Sequence, residues 1–243
     1  ALTGCATSMN GGGAALPGLG FKPVAKSLAD KVVVPEGYTA QVVYALGDPL
    51  TAATPAYKND GTDTDFDNRA GDHHDGMEYF GLSTDGTRRD ANSSERGLLV
   101  MNHEALTDHF LHVNGSSARP RPAGESDKEI PAHGVSVVEV RKSNGRFAYV
   151  QASAFNRRIT PLTPVEIGGP LRGNALMKTK YDPSGNRTRG TINNCGTGMT
   201  PWGTYLSGEE NWSGYFYRGD DAALRAAADG GKSNVSLARY GRN

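Results

Sequence analysis

The stretch that decides the fold is Gly134-Val135-Ser136-Val137-Val138-Glu139-Val140-Arg141-Lys142, then Ser143-Asn144-Gly145, then Arg146 to Ala154 (Arg-Phe-Ala-Tyr-Val-Gln-Ala-Ser-Ala). Two runs rich in β-branched and aromatic residues flank an Asn-Gly pair. Asn and Gly tolerate the positive φ angles of a tight turn, so the pattern predicts an antiparallel hairpin. Working outward, further apolar runs read as strands: Lys31 to Val34, Tyr38 to Ala45, Met77 to Leu82, Gly97 to Asn102, Thr204 to Ser207, Tyr215 to Arg218 and Val235 to Tyr240. Helical signals are few. Thr107 to His112 reads as one or two turns, and Asp220 to Ala228 as a short Ala-rich helix with acids at its start, ending at Gly230-Gly231. Residues 48–72 and 113–132 read as long polar loops. The fold class expected is therefore all-β, with antiparallel strands joined by long loops, in a sandwich or propeller.

Composition agrees. Among 243 residues, 32 Gly and 13 Pro favour a loop-rich β protein over a helical bundle. Lys+Arg and Asp+Glu are both 26, so the formal charge is zero. That argues against a nucleic-acid partner, which selects a basic face. No apolar run is long enough to span a bilayer. Residues 1–20 read as an export-signal remnant or flexible tail, and 21–243 as one domain. Leu2-Thr3-Gly4-Cys5 resembles a bacterial lipoprotein processing box, which makes Cys5 a candidate lipid anchor.

Four constellations carry ionisable groups. Asp72-His73-His74-Asp75 precedes a strand and reads as metal or phosphate chemistry, or as a solvated loop. Val100-Met101-Asn102-His103-Glu104 ends a buried strand in three polar residues. His103 reads as a satisfied core histidine, and Glu104 as a ligand or a structural acid. Asn193-Asn194-Cys195-Gly196 sets a cysteine in a polar loop, as nucleophile, thiolate ligand or structural thiol. Glu209-Glu210 follows a strand; in an extended backbone one carboxylate faces inward, toward a hard cation such as Ca²⁺, and the other faces solvent, and ordinary surface acids would give the same pair. Trp202 and Trp212 read as core packing.

Taken in this order, the segments resemble the PhoX-type alkaline phosphatases of bacteria. The resemblance rests on Pro35-Glu36-Gly37-Tyr38, Asp72 to Met77, Val100 to Glu104, His133 to Val137, Asn156 to Thr160 with Thr163-Pro164, and above all Thr191 to Phe216. It implies a β-propeller and export to the periplasm or medium, typically by a twin-arginine signal. It also implies a cluster of two Fe(III) and several Ca²⁺ ions, bridged by an oxo group, that cleaves phosphomonoesters. On it, Cys195 matches the iron-bridging thiolate, and Glu104 and Glu210 match carboxylate ligands. Asn194, Glu209, Asp72, His73, His74 and Asp75 lie in family-typical segments without an assigned role.

Family members are more than twice as long, and the resemblance places further acid ligands and a substrate-binding arginine in their C-terminal part. The expectation is therefore an incomplete propeller, its first two or three blades, inactive by itself. Two other readings stand beside it. One is a non-catalytic calcium-binding β-module using Glu104, Glu210 and the acids from Asp63 to Asp67. The other is a hydrolase with Cys195 as nucleophile.

Overall fold

The computed structural model describes residues 18, 20–216 and 222–235. They divide into two units, with the boundary between Val42 and Val43. Among the described residues of the first unit the backbone is irregular. A turn closes from the Tyr38 amide to the Pro35 carbonyl (3.0 Å), with Gly37 at φ 84°, and Phe21 packs edge-on against Tyr38. The strands expected at 31–34 and 38–45 do not form. A strand is held by ladder bonds to a neighbour, and neither run enters a ladder.

The second unit is built on an antiparallel sheet. Strand β1 (His74–Gly81) pairs β2 (Arg96–His103), and β2 pairs β3 (Gly134–Ser143). The far edge of β3 is shared. Its C-terminal half pairs β4 (Arg146–Tyr149) across the Asn144-Gly145 turn, and its N-terminal half pairs β5 (Arg157–Ile159). Two ribbons follow: β6 (Pro164–Glu166) with β7 (Arg187–Arg189), and β8 (Asn194–Met199) with β9 (Tyr205–Glu209). The helices are short: α1 (Asp108–Leu111), α2 (Ala123–Glu129) and α3 (Ala222–Asp229). The protein is thus mostly antiparallel β, and these sheets do not close on themselves.

The continuous apolar run of β3 is explained by burial on both faces. Val138 and Val140 pack with Met101, Tyr44, Leu50 and Ala70 on one side. Val135 and Val137 pack with Val100 on the other, where Tyr205 of β9 contributes its ring. Glu139, in the middle of this run, is buried and receives hydrogen bonds from Arg96, Arg141 and Ser153. Burial raises its pKa, but those three donors outweigh it and hold the carboxylate below its ordinary range.

Several expectations need correction. Residues 48–72 are a covering layer rather than a free loop. Buried Arg69 ties them together by donating to the carbonyls of Thr64, Gly47 and Pro55. Residues 113–132 contain α2, whose Ala-Gly-Glu-Ser-Asp-Lys-Glu sequence lacks an apolar stripe. It is anchored instead by ion pairs from Arg121 to Glu125 and Glu129, and by a hydrogen bond between His112 Nε2 and Glu129 (2.8 Å). Tyr215 lies in a 3₁₀ turn, Trp212–Tyr215, rather than a strand. Val235 lies in a helical turn, and the rest of the two expected strands, residues 217–218 and 236–240, lies outside the described residues. Trp202 and Trp212 are not core: they are 75% and 52% exposed.

Candidate metal centre

Three strand ends meet at one place. The first is β1, whose pairing with β2 slips by one residue between His74 and Met77, so Asp75 and Gly76 form a bulge. The second is β8, whose pairing with β9 slips likewise between Asn194 and Thr197, so Cys195 and Gly196 form another. A bulge breaks the strict alternation of side chains and turns a chosen one out of register. The third is Glu104, the first residue after β2. One ligand-type atom each from Asp75, Glu104 and Cys195 lies within 4.8 Å of the others. Glu210, just past β9, lies beside the Cys195 thiol, which it perturbs together with Asp75.

Glycine is required at the β1 bulge. A Cβ on Gly76 would sit 2.6 Å from the Cys195 carbonyl oxygen and 2.5 Å from Thr197 Cγ2. Gly76→Ala therefore pushes the two bulges apart and costs on the order of 2–3 kcal/mol. Urea unfolding of the variant measures this, and an unchanged midpoint contradicts it.

The backbone around the cluster is pinned by buried polar side chains. Asn102 is fully buried and uses both ends of its amide. Its Nδ2 donates to the Cys195 carbonyl (2.7 Å), and its Oδ1 accepts from the Tyr205 and Ser207 hydroxyls. The Glu104 peptide is held on three sides. Its amide donates to the His73 carbonyl, and its carbonyl contacts His133 Nδ1 (2.9 Å) and accepts from Asn193 Nδ2 (3.0 Å).

The other candidate residues do not join the four. Asp72 is buried and accepts from the backbone amides of His73 and Thr107. His73 reaches Thr107 Oγ1 (2.9 Å). His74 stacks on Tyr44 and touches the Gly71 carbonyl, and burial lowers its pKa. His103 is a core histidine facing Ser136 Oγ (2.9 Å). Glu209 accepts from Thr191 Oγ1 and the Ile192 amide, and Asn194 donates to Thr191 and Ser207. The acids of the 63–67 segment are also used locally. Asp63 closes on the Lys58 and Asn59 amides, Asp65 accepts from Asn68, and Asp67 accepts from Thr160. They do not converge on a cation. Asp75 stood out in the sequence only as part of a charged quartet. The bulge that separates it from its three neighbours depends on pairing with β2, which no local pattern encodes.

The electrostatics of the cluster point one way. The Cys195 thiol is pushed up to about 12, mainly by its hydrogen bonds to Glu210 and Asp75. A thiol shared between carboxylates keeps its proton at neutral pH, the reverse of an activated nucleophile. Without metal, Cys195 is expected to alkylate roughly 10³-fold more slowly at pH 7.5 than an unperturbed thiol of pKa about 8.5. Peptide mass spectrometry of iodoacetamide-treated protein reads this directly, and alkylation at the ordinary rate contradicts it.

The chain matches the family model for alkaline phosphatase PhoX over residues 19–242. It belongs to the PhoX family. Among solved structures it is similar to Pseudomonas fluorescens PhoX in complex with vanadate, a transition state analogue, at 35% identity and a TM-score of 0.76. That likeness covers 84% of this chain and 34% of the other, so the chain matches about a third of the length of that PhoX. No curated protein matches it. No helix among the described residues is long and apolar enough to cross a membrane.

Proposed function

We propose that the chain carries part of the metal centre of an exported alkaline phosphatase acting on phosphomonoesters, with Asp75, Glu104, Cys195 and Glu210 as ligands. The observation that carries this reading is the convergence of the Cys195 thiol with the Asp75 and Glu104 carboxylates from three strand ends, with Glu210 beside the thiol. The hydrogen bonds to Glu210 and Asp75 are the main reason the Cys195 thiol keeps its proton, and burial and the two nearby carboxylate charges add to them. A cation at the shared point takes the place of that proton, so the donor set fits a metal. The thiolate suits iron, while the carboxylates suit both iron and Ca²⁺. Bound there, such ions supply Lewis-acid stabilisation of charge on phosphoryl oxygens. The chain's own residues hold the ligands in place. The two bulges aim Asp75 and Cys195, Asn102 fixes the Cys195 peptide, and His133 and Asn193 fix that of Glu104.

The family relationship supports the wider reading: a β-propeller of which this sheet and its ribbons are a part, a periplasmic or secreted location, and residues 1–20 as an export-signal remnant. Cys5, the proposed lipid anchor, lies outside the described residues. The rival nucleophilic cysteine is disfavoured by its raised pKa and by having the carboxylates of Glu210 and Asp75 as its neighbours. A calcium-only module uses the same carboxylates and leaves the thiol without a purpose.

The test is hydrolysis of p-nitrophenyl phosphate by a PhoX polypeptide that carries this chain together with the rest of the centre, isolated with its metals, before and after chelation. Loss of turnover with EDTA, and recovery on adding iron and calcium, is expected. Turnover indifferent to chelation but abolished by thiol alkylation would overturn the reading in favour of Cys195 as nucleophile.

A further inference from the structure

We infer that Asn193 is a positioning residue that sets the separation of Glu104 and Glu210, an inference that rests on the metal-centre reading. These two acids follow different sheets, one after β2 and the other after β9. Asn193 bonds to both segments. Its carbonyl accepts from the Glu210 amide (2.9 Å), and its side-chain Nδ2 donates to the Glu104 carbonyl (3.0 Å). Nδ2 also lies 3.4 Å from the Tyr215 hydroxyl.

Three features set Asn193 apart from an ordinary turn residue. Its φ is 52°, in the left-handed region, where asparagine is among the few non-glycine residues found regularly. It is only 4% exposed, so its side chain is committed to the interior. Its Oδ1 is buried without a hydrogen-bond partner among the described residues. A turn that needed only a positive φ would be better served by glycine, which avoids the cost of an orphaned amide oxygen. What glycine lacks is the donor to Glu104. The amide spans the gap between two ligand-bearing backbones, and its length and direction fix how far apart they stand. Outer partners of this kind hold metal ligands in productive geometry.

Substitution separates this role from folding. Asn193→Gly keeps the left-handed backbone and the carbonyl bond to Glu210 but deletes the link to Glu104. Asn193→Asp keeps the shape and the tolerance for positive φ, yet sets a carboxylate oxygen against the Glu104 carbonyl. Titration with Co²⁺, followed through the thiolate-to-metal absorption of Cys195, gives Kd and a spectrum independent of turnover. Both variants are expected to bind Co²⁺ about 10–100-fold more weakly than the parent protein, with a shifted band. Asn193→Gly should melt within a few degrees of the parent, about the shift a glycine causes. Unchanged Kd and spectrum in both variants, beside a clear thiolate band in the parent, would overturn the positioning role alone. A parent protein that shows no thiolate band with Co²⁺ would overturn the metal-centre reading and this inference with it. A lowered melting temperature with unaltered Kd would reduce Asn193 to a folding residue and overturn the inference.

Discussion

Arg158→Met is expected to leave no folded protein. The Arg158 guanidinium donates to five main-chain carbonyls: Val135 (3.3 Å), Phe66 (3.0 Å), Arg69, Pro131 (3.1 Å) and His133 (2.6 Å). They belong to β3, to the covering layer and to the segment entering β3. A single side chain thus joins three parts of the unit. Removing it strands buried acceptors at about 1–3 kcal/mol each, and the sum is comparable with a domain's whole stability of about 5–15 kcal/mol. Burial lowers the Arg158 pKa only to about 10, so the group stays charged at neutral pH and each bond is charge-assisted. Arg158→Lys keeps the charge but offers one ammonium in place of a planar fork. That variant is expected to fold with a melting temperature lower by roughly 10–20 °C, taking about 5 kcal/mol at 2–4 °C per kcal/mol. Circular dichroism with thermal melts checks both variants. A Met variant that melts within a few degrees of the parent contradicts the account.

Stability is expected to fall steeply on mild acidification. His74, His103 and His133 all have lowered pKa values, mainly because burial penalises the charged form, with the nearby Arg158 charge adding to it. The folded state therefore binds fewer protons than the unfolded chain, in which each histidine titrates near about 6.5. Stability rises with pH wherever the unfolded state holds more protons. The contribution of these histidines is thus complete above about pH 6.5. It is lost as pH falls from there through their lowered folded values. Three such groups give a slope of up to about 4 kcal/mol per pH unit within that window. Urea midpoints between pH 8 and 5 measure the slope. A flat profile would mean that the histidines accept protons without disturbing the core.

The central sheet was legible in the sequence because its signals are local. The Asn144-Gly145 turn and the valine run specify β3 and β4, and the runs at 77–82 and 97–102 fall within three residues of the bounds of β1 and within one of those of β2. What was not legible depends on distant partners. The run at 38–45 has strand composition, but no ladder takes it up, and composition cannot report that. Helix α2 escaped notice because ion pairs hold it rather than an apolar stripe. At the site, Cys195, Glu104 and Glu210 stood out through the family resemblance; the structure groups Glu104 and Cys195 with Asp75 and sets Glu210 beside the thiol. The importance of Asp75 over Asp72, His73 and His74 follows from a one-residue slip against β2. Arg158 was quoted only as part of a family-like segment, since its five acceptors are scattered from Phe66 to Val135.

Metal analysis of the purified protein and its Cys195→Ser variant tests the central claim most directly. The account predicts iron and calcium in the parent protein, and loss of iron from the variant with its fold retained. Iron retained at the same stoichiometry in the folded variant, or a parent protein that takes up neither metal, would contradict it.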